Sequence, residues 1–254
     1  MARMDTLVIA FVLAMVRFGP VLLLPSITPF TWAPLIARVA LTLSLAVLAV
    51  AVATPHGSLA GWEHPLHLAM LGARELLLGL ALSFAVVLPS AALNFAGRLI
   101  DLQAGFGAAS LLNPATQAPE ALVGRTLGLM SVAVFFGTGL DRTLVRGLIA
   151  SVAIIPLGSA YAIAGPETLL AMLGSQFLLG FTVVAPVMIG LFAIDLAVTL
   201  ASRSMPQANV YFLALPLKIG AALLLLAVTL RYAPPIIEQL YRVAFVGSNH
   251  LVTR

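Results

Sequence analysis

The chain has 254 residues, of which 61% are hydrophobic and only 9% charged, against about 25% charged in ordinary soluble domains. No soluble fold hides that much apolar surface, so this is the sequence of an integral helical membrane protein. The formal charge of +4 comes from singly scattered basic residues with no basic run interleaved with aromatics, which excludes nucleic-acid binding, and the absence of cysteine excludes disulfides, thiolate metal sites and thiol catalysis.

The apolar blocks 6–24, 35–53, 66–93, 168–200 and 213–230 each approach or exceed the roughly 20 apolar residues that cross a bilayer. The first carries Arg17 at its middle and Gly19-Pro20 after it. Arg17 interrupts the run, and hydrophobic sequence resumes without an Ala-x-Ala-like site, so a retained first helix is expected rather than a signal peptide. The connector 25–34 is proline-rich and uncharged, with Trp32 as an expected interface anchor. Arg38 opens the second block, which ends at Thr54-Pro55.

Arg74-Glu75 leads the third block, which is expected to run to Pro89. A charge inside such a block is costly, so it should face protein or a cavity and find a partner, or snorkel if it lies near a helix end. The next stretch, Arg98 to Glu120, lies between hydrophobic blocks but is too apolar for a solvent loop. Gly105 and Gly107 flank Phe106, and Leu111 and Leu112 lead into Asn113-Pro114. The glycines free the backbone for positive φ, and the prolines forbid a simple helix. Non-helical backbone at membrane depth must be buried in protein or line a cavity. Two readings stay open here, a constriction or plug inside a pathway and a re-entrant linker that packs between helices.

Block 121–137 is apolar but short, and is followed by Gly137-Thr-Gly139 and then Asp141, Arg142 and Arg146. If it spanned, Arg98 and Arg125 would lie on the opposite side from Arg142 and Arg146. A segment that enters and returns reconciles these charges. Block 168–200 is longer than one crossing needs. Pro186 with Gly174, Gly180 and Gly190 predicts a kinked or broken helix, and Asp195 lies deep in it. No repeat of fixed period is present, although two halves with long interrupted segments fit an internally duplicated design. The expected fold is therefore all-α and polytopic, built of long, interrupted helical hairpins with a re-entrant central loop. It forms one membrane domain over 1–254, divided into N-terminal helices (1–97), a plug-like central loop (98–125) and C-terminal hairpins (126–254).

Nothing signals an enzyme: the sequence lacks GxSxG, HExxH, a phosphate-cradling loop and a dinucleotide fingerprint. His56, Glu63, His64 and His67 cluster in a proline-flanked loop at spacings that fix no shared face, so they read as surface residues and not as a metal site. No cofactor is implied. The second informative stretch runs from Arg203 through Pro206, Gln207 and Asn209 to Lys218. Two helices are joined there by a polar turn with a cation on each side. Pro206 ends the first helix, and Gln207 and Asn209 can cap exposed backbone groups. This is either an ordinary helix hairpin with snorkelling ends or a binding tip for a partner or moving substrate.

Arg203-x-x-Pro206-Gln207-x-Asn209-Val-Tyr-Phe-Leu-Ala-Leu-Pro216-Leu-Lys218-Ile resembles the signature hairpin of the FliR family, membrane subunits of the flagellar type III export gate. Arg98-x-x-Asp101-Leu-Gln103-x-Gly105-Phe106-Gly107 with Asn113-Pro114 is similar to that family's central loop. Arg17-x-Gly19-Pro20 with Pro25 matches its N-terminal pattern, and Glu75 followed by Gly79 its third block. The chain departs from the pattern at Ala208, where the family tends to have a larger aliphatic residue, and at Asn113, where flagellar members often have Asp. The resemblance implies assembly with FliP-like and FliQ-like membrane subunits and an FlhB-like gate protein, in a tilted cone of helical hairpins through which unfolded proteins pass. It implies a central loop that acts as a plug, with Phe106, Leu111 and Leu112 closing the lumen. It further implies that Arg17, Glu75, Arg98, Asp101 and Asp195 face subunit contacts rather than lipid. The rival reading is a secondary transporter of small solutes that uses Asp195, Glu75, Arg203 and Lys218 as coupling charges. The equivalent injectisome subunit is a closer alternative.

Overall fold

The computed structural model describes residues 2–23, 29–52, 64–106, 121–163, 165–204, 210–248 and 251–253. Among the described residues seven helices follow in order: α1 (Ala2–Leu22), α2 (Leu35–Val52), α3 (Pro65–Ala104), α4 (Leu122–Gly137), α5 (Leu140–Ile154), α6 (Pro166–Ser204) and α7 (Val210–Ser248). A two-residue antiparallel pair, β1 (Ala162–Ile163) with β2 (Val252–Thr253), ties the α5–α6 connection to the C-terminal end of the chain. Among the described residues four helices are long and apolar enough to cross a membrane, namely α1, α3, α6 and α7. A fifth crossing arises if the bent pair α4–α5 counts as one.

The elements differ from the expected ones in three ways. Helix α3 does not stop at Pro89 but runs 40 residues in all, to Ala104, so residues 98–104 and 122–125 of the expected central loop are helical. Arg98, Asp101 and Gln103 ride on the last turns of a helix. Helix α6 is not broken at Pro186, since it runs 39 residues without interruption. Helix α7 likewise runs through Pro216, Pro234 and Pro235. Proline removes one backbone bond and distorts locally, but in lipid the alternative is more unpaired backbone, so the helix persists. The pair α4–α5 is bent by 69°, the geometry of a broken span or of a re-entrant segment. At the bend Gly139 holds φ 75°, a left-handed conformation that costs glycine little.

The chain forms two compact units. The first comprises residues 1–88, 135–173 and 241–254, and the second comprises 89–134 and 174–240. In the first unit, α1 packs on α2 and α3, and an aromatic cluster joins Phe30 and Tyr241 to Phe135, with ring centroids 5.7 and 5.1 Å apart. Trp32 stacks edge-on against Phe136 while remaining exposed. In the second unit, Phe95 meets Phe177 and Phe181, and Gly180 lies against the Ala92 backbone. Such close backbone contact is how membrane helices gain packing energy where lipid offers no hydrophobic drive between them.

Candidate functional site

Two polar centres are built into these apolar helices, one in each unit. In the first unit, Arg17 of α1 is fully buried, as is Glu75 of α3. The guanidinium grips the carboxylate with two bonds, Nε to Oε2 at 2.6 Å and Nη2 to Oε1 at 3.0 Å. Its Nη1 also donates to the carbonyls of Ser151 and Ile155, at 3.1 and 2.9 Å. Both lie at the end of α5, where the helix dipole favours a cation, and the Ser151 carbonyl also takes the Ile155 amide at 2.9 Å. The Gly158 amide donates to Glu75 Oε1 at 2.8 Å. Four of the five guanidinium N–H groups and both carboxylate oxygens are therefore bonded within the chain, the condition under which a buried ion pair is tolerated.

The same centre unites motifs that lie far apart in sequence. A Cβ on Gly79 would fall 2.3 Å from the Arg17 carbonyl oxygen and 3.0 Å from Pro20 Cγ, so α3 crosses α1 backbone to backbone. Ser83 donates to the Pro20 carbonyl at 3.0 Å. Arg74 is exposed although its neighbour Glu75 is not, since adjacent helical residues point about 100° apart. The Tyr161 hydroxyl donates to the Arg74 carbonyl. Burial, and then the Glu75 carboxylate, push the Tyr161 phenol up, so it stays a neutral donor. Within the chain, Arg17 and Glu75 are each other's partner.

The second centre is a neck at the end of α3. Gly105 holds φ 81° and donates to the Leu102 carbonyl at 3.3 Å, while the Phe106 amide donates to the Asp101 carbonyl at 3.1 Å. This bond pair with a left-handed glycine is the Schellman helix stop. Helix α4 then begins with Ala121 in the capping position, its carbonyl taking the Arg125 amide at 2.9 Å. Alanine has no side-chain oxygen with which to cap. Asp101 supplies the cap from α3, accepting the amides of Val123 at 2.9 Å and Gly124 at 3.2 Å, and is itself buried. A Cβ on Gly97 would sit 2.4 Å from Gly124 Cα, so α3 and α4 touch without a side chain between them.

The neck is tied to the other helices of its unit. Gln103 Nε2 donates to the Met188 carbonyl of α6 at 3.2 Å. A Cβ on Gly105 would lie 2.8 Å from Leu215 Cδ1 of α7. Further along, Lys218 Nζ of α7 and Asp195 Oδ1 of α6 pair at 2.7 Å, with Asp195 41% exposed. The two residues stand nine and eight positions from the ends of their helices at Ser204 and Val210, so the pair sets the register of the α6–α7 hairpin. Arg203 is exposed in the last turn of α6, and Arg98 is exposed on α3. Gly107, Leu111, Leu112, Asn113 and Pro114 lie outside the described residues, as do Pro206, Gln207 and Asn209, together with His56 and Glu63 of the histidine loop. Among the described residues no group of acidic or histidine side chains could hold a metal ion.

Reading the sequence missed Gly97, Gly124 and Gly158, whose importance lies in what approaches them. It also left Arg17 and Glu75 as two separate oddities, when opposite charges in two apolar helices were the signal for a pair.

The bacterial export proteins, family 1, match residues 8–243. The chain is 27% identical over 247 residues to the flagellar biosynthetic protein FliR of Bacillus subtilis, covering 96% of this chain and 94% of that one. It is 33% identical over 165 residues to the Yop proteins translocation protein T of Yersinia pestis, covering 63% of each. It is 26% identical over 176 residues to FliR of Escherichia coli, covering 69% of this chain and 67% of the relative. This chain belongs to the bacterial export proteins, family 1.

Proposed function

We propose that the chain is a non-enzymatic subunit of a type III protein-export gate in the bacterial inner membrane, at the flagellar basal body. It assembles with FliP-like and FliQ-like membrane subunits and an FlhB-like gate protein. Its part is to complete the channel for unfolded proteins and to carry the plug. The observation that supports this reading is the neck, where a Schellman stop at Gly105 and the Asp101 cap on α4 hold the two ends of segment 107–120. That segment carries Leu111, Leu112 and Asn113-Pro114. An unfolded polypeptide needs a wide lumen, while ions must not leak between substrates. An apolar segment held by both ends meets the two demands, since a hydrophobic constriction gates by dewetting. Energy for export comes from partners. The flagellar assignment draws on the relatives named FliR, one of them aligned along 96% of this chain, with the injectisome subunit as its alternative.

The transporter reading loses its coupling groups, because Glu75 is engaged by Arg17 and Gly158, and Asp195 by Lys218. The test is co-expression with the candidate partners, followed by deletion of 107–113, which spares Gly105 and Phe106 of the helix stop. We expect co-purification of a stable complex, and an assembled deletion variant that conducts ions. A chain that purifies alone from cells expressing all partners would refute the gate reading. A deletion complex as ion-tight as wild type would refute the plug.

A further inference from the structure

The connection between α5 and α6 runs along the Arg17 centre and is tied to it at successive points. The Ile155 carbonyl takes a bond from Arg17 at 2.9 Å. The Ser159 amide then closes a turn on the Pro156 carbonyl at 3.0 Å. Within that turn Gly158 holds φ 76°, a left-handed conformation open to glycine, and its amide donates to Glu75 Oε1 at 2.8 Å. Tyr161 follows, with its hydroxyl on the Arg74 carbonyl. Beyond it, Ala162 and Ile163 pair with Thr253 and Val252. The first ties reach the ion pair or its neighbour, and the last reaches the C-terminal strand.

That strand is placed by the end of α7. The helix ends at Ser248, and the Leu251 amide donates back to the Ser248 carbonyl at 3.2 Å. The Leu251 side chain is buried, an apolar anchor just ahead of the strand. The strand itself has two residues, and a strand pair this small is marginal by itself. Contacts of that kind open locally at low cost, long before the helices do. What lies beneath is sensitive to such an opening. Arg17 and Glu75 are fully buried, and the attraction between two charges weakens steeply once water raises the dielectric around them.

We propose that the C-terminal strand is a releasable strap. It holds the α5–α6 connection on the Arg17–Glu75 pair and keeps water away, and its detachment frees Gly158 from Glu75 and wets the pair. Without the strand, that part of the connection is held by single hydrogen bonds from Gly158 and Tyr161, for which water is a ready substitute. The strap depends on the packing of the first unit and not on export, so it stands or falls apart from the gate reading.

The test is amide hydrogen exchange of the chain in nanodiscs, read by mass spectrometry with fragmentation to the Gly158 amide. Deletion of 252–254 removes the strand, and Leu251→Ala removes its anchor. In both variants Gly158 should exchange at least about tenfold faster than in wild type, as a local opening does, while amides in the middle of α1 and α3 keep their wild-type protection. Gly158 exchange left unchanged by the deletion would overturn the proposal. So would an equal acceleration of Gly158, α1 and α3, because the strand would then add overall stability without acting as a strap.

Discussion

The Arg17 centre and the Asp101 neck solve the same problem, that of fixing helices to one another inside apolar surroundings, by opposite means. The first uses full charges. Four of the five guanidinium N–H groups are bonded, to Glu75 and to the carbonyls of Ser151 and Ile155. The neck uses one carboxylate on two backbone amides, a glycine helix stop and the Gly97–Gly124 contact. Removing one partner of a buried ion pair leaves an uncompensated charge, so such a pair has no inexpensive broken state. A cap bond exchanged for another acceptor costs far less. A permanent joint suits the first design, and a segment that must be released and regripped suits the second.

The comparison is broken most severely at Glu75. Glu75→Ala strands the Arg17 charge and should cost about 3–5 kcal/mol, a large part of a total stability of about 5–15 kcal/mol. Thermal unfolding of the purified chain should show this, and Arg17→Met combined with Glu75→Leu should recover part of it. An E75A chain melting like wild type would mean that the centre does not hold the fold.

Next come the two glycine contacts. Gly79→Ala drives a methyl into the Arg17 backbone carbonyl, and Gly97→Ala drives one into Gly124 Cα. Each overpacking should cost about 1–3 kcal/mol. The outcomes should differ in kind. G79A should lower yield and melting temperature, whereas G97A, by parting α3 from α4, should chiefly raise ion leak through the assembled complex. If both variants lower stability alike without leak, the neck is only another structural joint.

A smaller effect is expected at Asp101. Asp101→Ala removes the cap on α4 at about 0.5–2 kcal/mol, and Asp101→Asn should fall between, keeping one acceptor for the two amides. Ion conductance of the complex should follow the order wild type, Asn, Ala. The smallest effect belongs to Lys218→Met. Its partner Asp195 is 41% exposed, so it is not sealed inside the chain as Glu75 is. Stability should barely move, so a large loss would show that partners bury this pair in the assembly.

Much of this was legible in the linear chain because it depends on local quantities. Apolar block length announced the membrane helices. Gly137-Thr-Gly139 announced the bend between α4 and α5 through the backbone freedom of glycine. The motifs around Arg17, Glu75, Asp101 and Lys218 carried the resemblance to the export family, and the family match over 8–243 bears it out. The proline rule ended the third block too early, at Pro89, because it weighs one lost hydrogen bond against water. Inside an apolar environment, unwinding exposes several more backbone groups.

What the sequence determined by itself is therefore the class of molecule and the positions where its regularity fails. Only the tertiary structure decided what those failures are for. Arg17 finds Glu75 58 residues away, and Asp101 finds the amides of Val123 and Gly124 22 and 23 residues away. No spacing rule encodes a partner on another helix. A charge or an unused cap has a strong need but no direction until packing brings a second backbone within hydrogen-bond reach, and the glycines at 79, 97 and 124 matter because they allow that approach.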